Sequence, residues 1–220
     1  VLTVTYNASG AVWAAKQGFC VVVVDVINMS TTAEALLDEG VLEVWGAAPA
    51  DCKAPVFTDP ENIGFLAAQR AIENKTEVFI ITEPRVGGRN EREEKAAAVI
   101  NGIRKAGIDH KGIFPNLGAE TVKFSNFKHK IGILVTDTGG VAFDAAFHAG
   151  APAVICGTNA RTMRKKGLLP ASAAAERAVS LAKMKNTGIA VVAASSFSYE
   201  DIFAAEQIAE EIIKSGFLKL

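Results

Sequence analysis

The stretch FCVVVVDVINMSTTAEALLDEG (residues 19–40) decides the fold. From Phe19 to Ile27 it is apolar without alternation, broken only by Asp25. A strand shows that pattern when both of its faces are covered, because neither face meets water. The chain then passes through Asn28-Met29-Ser30 into Thr31–Glu39, a segment of helical period. Its signals are a capping-box spacing, Thr31-x-x-Glu34, and a stop at Gly40. A doubly covered strand feeding a helix is the repeating unit of a parallel sheet.

The same unit recurs outward from this stretch. LEVWG (42–46), EVFIIT (77–82), IGILVT (131–136), PAVICG (152–157) and GIAVVAAS (188–195) are further short runs rich in Val and Ile. Helical patterns lie between them: from Asp59-Pro60, with proline at the first helical position, to about Asn74, then Asn90–Ala106, Val141–Ala149, Ala171–Lys185 and Tyr199–Ser215. Residues 108–130 break the rhythm with Pro115, Gly118 and scattered Phe, and read as a long excursion with a short strand at Gly112–Phe114. With no low-complexity linker and no internal repeat, the expectation is one α/β domain over residues 1–220. Its architecture should be a three-layer α/β/α sandwich around a largely parallel sheet with right-handed crossovers.

Composition narrows the partners. Lys plus Arg number 23 against 24 Asp plus Glu, so a net charge of −1 gives no electrostatic reason to expect nucleic acid or an anionic membrane. The longest apolar run is far below the roughly 20 residues that cross a bilayer. The amino end, VLTVTYNASG, lacks the basic segment and apolar run of a signal peptide. Cys20, Cys52 and Cys156 are scattered and odd in number, which disfavours a disulfide framework or structural zinc and fits a reducing compartment. The cytoplasm is the expected location.

In an open parallel sheet, ligands bind outside the carboxyl ends of the strands. That rule selects residues 25–32, 82–89, 136–140, 157–161 and 195–201. Asp25 ends the valine run, and a buried carboxylate is costly unless paired, hydrogen-bonded or bound to metal. Ser30, Thr31 and Thr32 stand at a helix N-terminus, where they either cap the helix or help it hold an anion. Thr82-Glu83-Pro84-Arg85-Val86-Gly87-Gly88-Arg89 joins two glycines to two guanidinium groups, as in an anion site or a solvated turn. Thr136-Asp137-Thr138-Gly139-Gly140 is a glycine-rich strand-to-helix turn able to cradle an anion. Its Asp-Thr-Gly is no aspartic protease motif, since those enzymes need two such carboxylates in an all-β frame. Cys156 and Arg161 have four residues between them where cysteine phosphatases have five, so Cys156 reads as a buried apolar residue. Ser198-Tyr199-Glu200-Asp201 caps the last helix with acids at its positive end, or offers two carboxylates to Mg²⁺. His110, His129 and His148 are isolated and read as neither ligands nor triad members, with His148 an ordinary surface imidazole near a helix end.

With these clusters in hand, the chain resembles the 2-phosphosulfolactate phosphatase family, Mg²⁺-dependent enzymes of coenzyme M biosynthesis, from about Cys20 to Ile212. VVVVDVINMSTTAEALLDEG is similar to that family's Asp-Val-Leu-Arg-Ala-Ser/Thr-Thr-Thr opening followed by Ala-Leu and Gly. Gly87-Gly88, Asn116 with Glu120, VTDTGG and SYEDIFAAEQI follow in the family's order. Asn28 stands where the family has arginine, and Gly139-Gly140 where it has glycine-threonine. The resemblance implies hydrolysis of a small phosphomonoester, 2-phosphosulfolactate, to sulfolactate and phosphate, by a homodimer or other homo-oligomer. It implies Asp25, Glu200 and Asp201 as the residues that hold Mg²⁺ or orient water. The phosphorylated, sulfonated acid would be bound by Asn28, Ser30, Thr31, Thr32, Arg85, Gly87, Gly88, Arg89, Asn116, Asp137, Thr138, Gly139 and Arg161. The alternative is a non-catalytic or altered-substrate relative that binds a small anionic metabolite. A haloacid dehalogenase-type site is a poor third, because its Asp-x-Asp pair would need an acid at Ile27.

Overall fold

A computed structural model describes residues 1–219. Strands and helices alternate along them: β1 (Leu2–Tyr6), α1 (Asn7–Lys16), β2 (Cys20–Val24), α2 (Met29–Asp38), β3 (Glu43–Ala47), α3 (Pro60–Glu73), β4 (Val78–Thr82), α4 (Arg89–Lys95) and α5 (Ala97–Lys105). Then come β5 (Ile113–Pro115), a 3₁₀ turn (Gly118–Lys123), β6 (Ile131–Val135), α6 (Gly139–His148), β7 (Val154–Cys156), α7 (Leu169–Lys185), β8 (Ile189–Ala193) and α8 (Tyr199–Lys214). The strands form two four-stranded sheets, ordered β1-β8-β2-β7 and β3-β6-β4-β5, and every pairing is parallel. Helices flank both sheets, as an α/β/α sandwich requires.

Burial explains the valine runs. All five residues of β2, β4, β6 and β8 are buried, so each needs apolar side chains on both faces. One face of the first sheet packs on α7 and α8 through Ala174, Ala178, Ala204 and Ile208. One face of the second packs on α3 and α5 through Ile63, Ala67, Val99 and Ile103. The remaining faces share a core in which Val21, Val23, Phe79, Ile81 and Leu134 meet Met29 and Leu36 of α2 and Phe143 of α6. That shared core brings the carboxyl ends of β2 and β6 together. None of the helices in the described residues is long and apolar enough to cross a membrane.

Four sequence expectations change. β1 and α1 were not anticipated, yet Leu2–Tyr6 pairs with β8 and Asn7 starts α1 at φ 63°. Gly10 lies so close to β1 that a Cβ there would fall 2.4 Å from Thr5 Oγ1. The helix expected over 90–106 divides at Ala96 (φ −92°, ψ 6°) into α4 and α5. The short strand of the excursion starts one residue later, at Ile113, than expected. No capping box forms at Thr31 and Glu34, because α2 already begins at Met29 and both residues lie inside it. Glu34 is instead buried and paired with Arg177 and Lys165. Asp59 and Ser198 do cap α3 and α8, accepting from Asn62 N (2.9 Å) and Asp201 N (3.3 Å).

Candidate functional site

The chain turns from β2 into α2 around the side chain of Ser30. Its Oγ accepts from Asp25 N (2.9 Å) and donates to Val23 O (2.9 Å), while Ser30 N donates to Asp25 O (2.8 Å). This local clamp fixes Asp25, which is 3% exposed. Asp25 Oδ2 reaches across to the second sheet, accepting from Thr138 Oγ1 (2.7 Å) and from Gly139 N at the start of α6 (2.8 Å). A Cβ on Gly139 would sit 2.6 Å from that oxygen, so the approach requires glycine. The adjacent Val26 N donates to Asp201 Oδ1 (2.8 Å), which ties the first turn of α8 to the same point. Asp201 is 3% exposed. Burial pushes its carboxyl up to about 6; the Val26 N–H restrains the shift, and the neighbouring charges of Asp25 and Glu200 add to it. Three strand ends thus converge, those of β2, β6 and β8.

A second acidic group lies alongside, from β4 and β6. Burial raises the Glu83 carboxyl above its ordinary range, with the charges of Asp137 and Asp25 adding and Lys95 opposing. Lys95, at the end of α4, lies 2.5 Å from Asp137 Oδ2 and 3.9 Å from Glu83 Oε2. Burial works against its positive charge, but the bond to Asp137 and the charges of Asp137, Glu83 and Asp51 outweigh it and raise the ammonium's value. Glu83 follows β4 as directly as Asp25 follows β2, and that position was its sequence signal. Lys95 carried none, because a lysine within a helical pattern is ordinary.

The remaining candidates divide into buried and exposed groups. Thr31 Oγ1 donates to Val26 O (2.6 Å) and lies 3.1 Å from Thr158 Oγ1. Thr32 Oγ1 donates to Asn116 Oδ1 (2.6 Å). The Nδ2 groups of Asn28 and Asn116 are buried with no partner, two donors facing no acceptor. Gly118 (φ 62°) lets the 3₁₀ turn approach Asn28, whose Oδ1 would lie 3.6 Å from an added Cβ. Asp137, Thr138, Glu200, Arg85, Gly87, Gly88, Arg89 and Arg161 are exposed. Arg89 pairs with Glu93 (2.6 Å) and Glu120 with Lys123. Cys156 is buried, and burial pushes its thiol up to about 12, as an inert core cysteine should be. His148 is not a surface imidazole: its Nδ1 lies 2.8 Å from Asp144 Oδ1, and Asp144, fully buried, also accepts from Ala48 N and Asp59 N. This pair ties α6 to the loop before α3.

Asp25 and Asp201 have the chemistry of a hard-cation site. They are two carboxylates, each with one oxygen taken by donors, brought together because Asp201 accepts from Val26 N, the residue after Asp25. Among the described residues no three His, Cys, Asp or Glu side chains are grouped to hold a metal. Mg²⁺ needs only one or two carboxylates, its other ligands being waters and substrate oxygens. Fold and site together define a parallel α/β protein with acidic side chains gathered at its strand ends. The chain matches no known family model and no curated protein.

Proposed function

We propose that the acidic cluster at the strand ends binds and hydrolyses a small phosphomonoester with the help of Mg²⁺, the substrate suggested by resemblance being 2-phosphosulfolactate. The observation that carries this reading is the placement of Asp25, a desolvated carboxylate beside Asp201 at the mouth of two sheets. Around it stand Glu83, Asp137 and Glu200, with Lys95 the cation in contact. So acidic a setting repels a phosphate dianion unless a cation joins them, which favours a metal-assisted reaction over metal-free anion binding.

Asp25 and Asp201 would hold the ion. When bound, Mg²⁺ supplies charge neutralisation at the phosphoryl oxygens. Asp25 is positioned by Ser30, Thr138 and Gly139, so its carboxylate is preorganised before substrate arrives. The orphan amides of Asn28 and Asn116 would donate to the ester's distal oxygens. The mobile-stemmed guanidinium groups of Arg85, Arg89 and Arg161 would approach from solvent and neutralise the incoming charge. The proposed setting is a cytoplasmic homo-oligomer.

A second reading, an altered-substrate or non-catalytic relative, is favoured by two observations. Asn28 replaces the family's arginine, and the Thr138 and Gly139 donors are spent on Asp25. Phosphate release from a panel of phosphorylated hydroxy acids, with and without Mg²⁺, separates the two. Turnover that depends on Mg²⁺ supports the hydrolase. Phosphoester binding by calorimetry in EDTA, without phosphate release under any condition, supports the binder and overturns it.

A further inference from the structure

A cleft of about 460 Å³ lies away from the acidic cluster, lined by residues 42–45, on and just before β3, and by residues 151–156, on and just before β7. Both strands are the last of their sheets, each paired on one side only. Successive residues of a strand point their N–H and C=O groups to opposite neighbours, so the bonds already made show where the spare groups face. Ala153 O accepts from Val21 N, and Gly157 N donates to Val23 O, so Ile155 between them also faces β2. Val154 and Cys156 therefore turn their N–H and C=O groups to the open edge. Leu42 N donates to Lys130 O, and the same alternation turns Glu43 and Trp45 away from β6. The cleft is thus bounded by two rows of backbone groups that their own sheets leave unpaired. One of them, Cys156 O, lies 3.4 Å from Arg177 Nη2.

The side chains around those rows are apolar on both sides. α2 and α6 pack on one face of β2 and α7 on the other, and the cleft takes Leu37, Phe143 and Phe147 from the first side and Leu181 from the second. Its two charged residues are spent: Glu43 pairs with Arg70 at 2.5 Å, and Arg177 belongs to a balanced set with Glu34, Asp38 and Lys165. An occupant must therefore supply backbone donors and acceptors at strand spacing, apolar groups on two faces and no charge. From this complementarity we infer that the cleft docks an extended apolar peptide strand of a partner protein, laid between β3 and β7 and hydrogen-bonded to their free edges. Main-chain bonds give such a complex its affinity, and the side-chain walls select its sequence. Three residues of β7 and five of β3 set its length at three to five residues. The site is independent of the proposed hydrolysis and survives the failure of that reading.

The test titrates a Trp13→Phe variant with a capped peptide of five valines, flanked by glycine and lysine for solubility. Trp45 fluorescence reports binding, since Trp45 lines the cleft and Trp13, the other tryptophan, does not. The valine peptide should bind and a peptide with five serines in their place should not. N-methylation of the second and fourth valines keeps the apolar bulk and removes two donors. It should weaken binding about fivefold for each hydrogen bond lost, or about 25-fold. Bound peptide should slow amide exchange, read by NMR, at Glu43, Trp45, Val154 and Cys156, and leave Val44 and Ile155 as they were. Val154→Pro removes one edge donor where an edge strand tolerates proline, and should weaken the valine peptide at least fivefold. If that variant does not fold, the comparison of plain with N-methylated peptide decides alone. Equal affinity for those two peptides, or unslowed exchange at the four edge amides, overturns the inference. A concentration-dependent dimer that Val154→Pro disrupts, with no peptide uptake, assigns the edges to a second copy and also overturns it.

Discussion

Replacing Asp25 by asparagine tests the catalytic reading most directly. The side chain keeps its shape, and its carbonyl oxygen can still accept from Thr138 Oγ1 and Gly139 N. Two charge-assisted hydrogen bonds become neutral ones, a loss of about 1 kcal/mol each. Removing the charge that faces Asp201 offsets part of this loss. The net change should stay within about 2 kcal/mol, or some 4–8 °C in Tm for a chain of this size. Asp25→Ala is the harsher control, since it strands the buried Gly139 N–H and adds about 1–3 kcal/mol. Turnover of the phosphoester should fall about 10³-fold or more in Asp25→Asn, as for removal of a principal catalytic group. Mg²⁺ should raise the Tm of the wild type by mass action, about 2.7 kcal/mol at a hundred times its Kd, and leave the variant unmoved. Phosphate release and a thermal melt on the same samples measure both. An asparagine variant with wild-type kcat and the wild-type response to Mg²⁺ would refute the reasoning.

Three structural predictions follow from the packing and titration of other residues. Gly102→Ala places a Cβ 1.9 Å from Glu61 O, wedging α5 off α3, and should cost about 1–3 kcal/mol in urea unfolding. A wild-type midpoint would show that the helices do not meet this closely. In the native protein a thiol reagent should label Cys52, which is half-buried, and spare Cys20 and Cys156, whose thiols burial shifts upward; three fast-reacting thiols would contradict their placement. The hydrogen bond that the imidazole donates to Asp144 raises His148 above its ordinary value, against the pull of burial. Its stabilisation is therefore full below the unfolded value of about 6.5 and lost as pH rises through the higher folded one. His148→Gln should lower Tm more at pH 5.5 than at pH 8.5, and equal losses at both would contradict the pairing.

The alternation of strand and helix was readable from residues 19–40 and their repeats because doubly covered strands must be apolar throughout. Asp25, Thr138, Gly139 and Asp201 were nominated by one rule, that strand carboxyl ends deliver ligand-facing residues. The rule does not say which ends meet. β1 and α1 escaped detection because Asn7 and Gly10, breakers by local propensity, serve a tight start and a close approach to Thr5. Lys95 and the Asp144–His148 pair escaped because nothing local distinguishes a charged helical residue that faces inward from one that faces water.

Sequence alone thus determined the parallel α/β class, the apolar strands and most helix boundaries, since periodicity and caps are short-range properties of the chain. Only the tertiary structure decided that eight strands divide into two sheets and that β2 and β6 meet through Asp25 and Gly139. It also decided that Asp201 sits on Val26, 175 positions away in the chain. Pairings across such separations depend on packing a shared core of Met29, Leu36 and Phe143 among both sheets, and no local pattern encodes that.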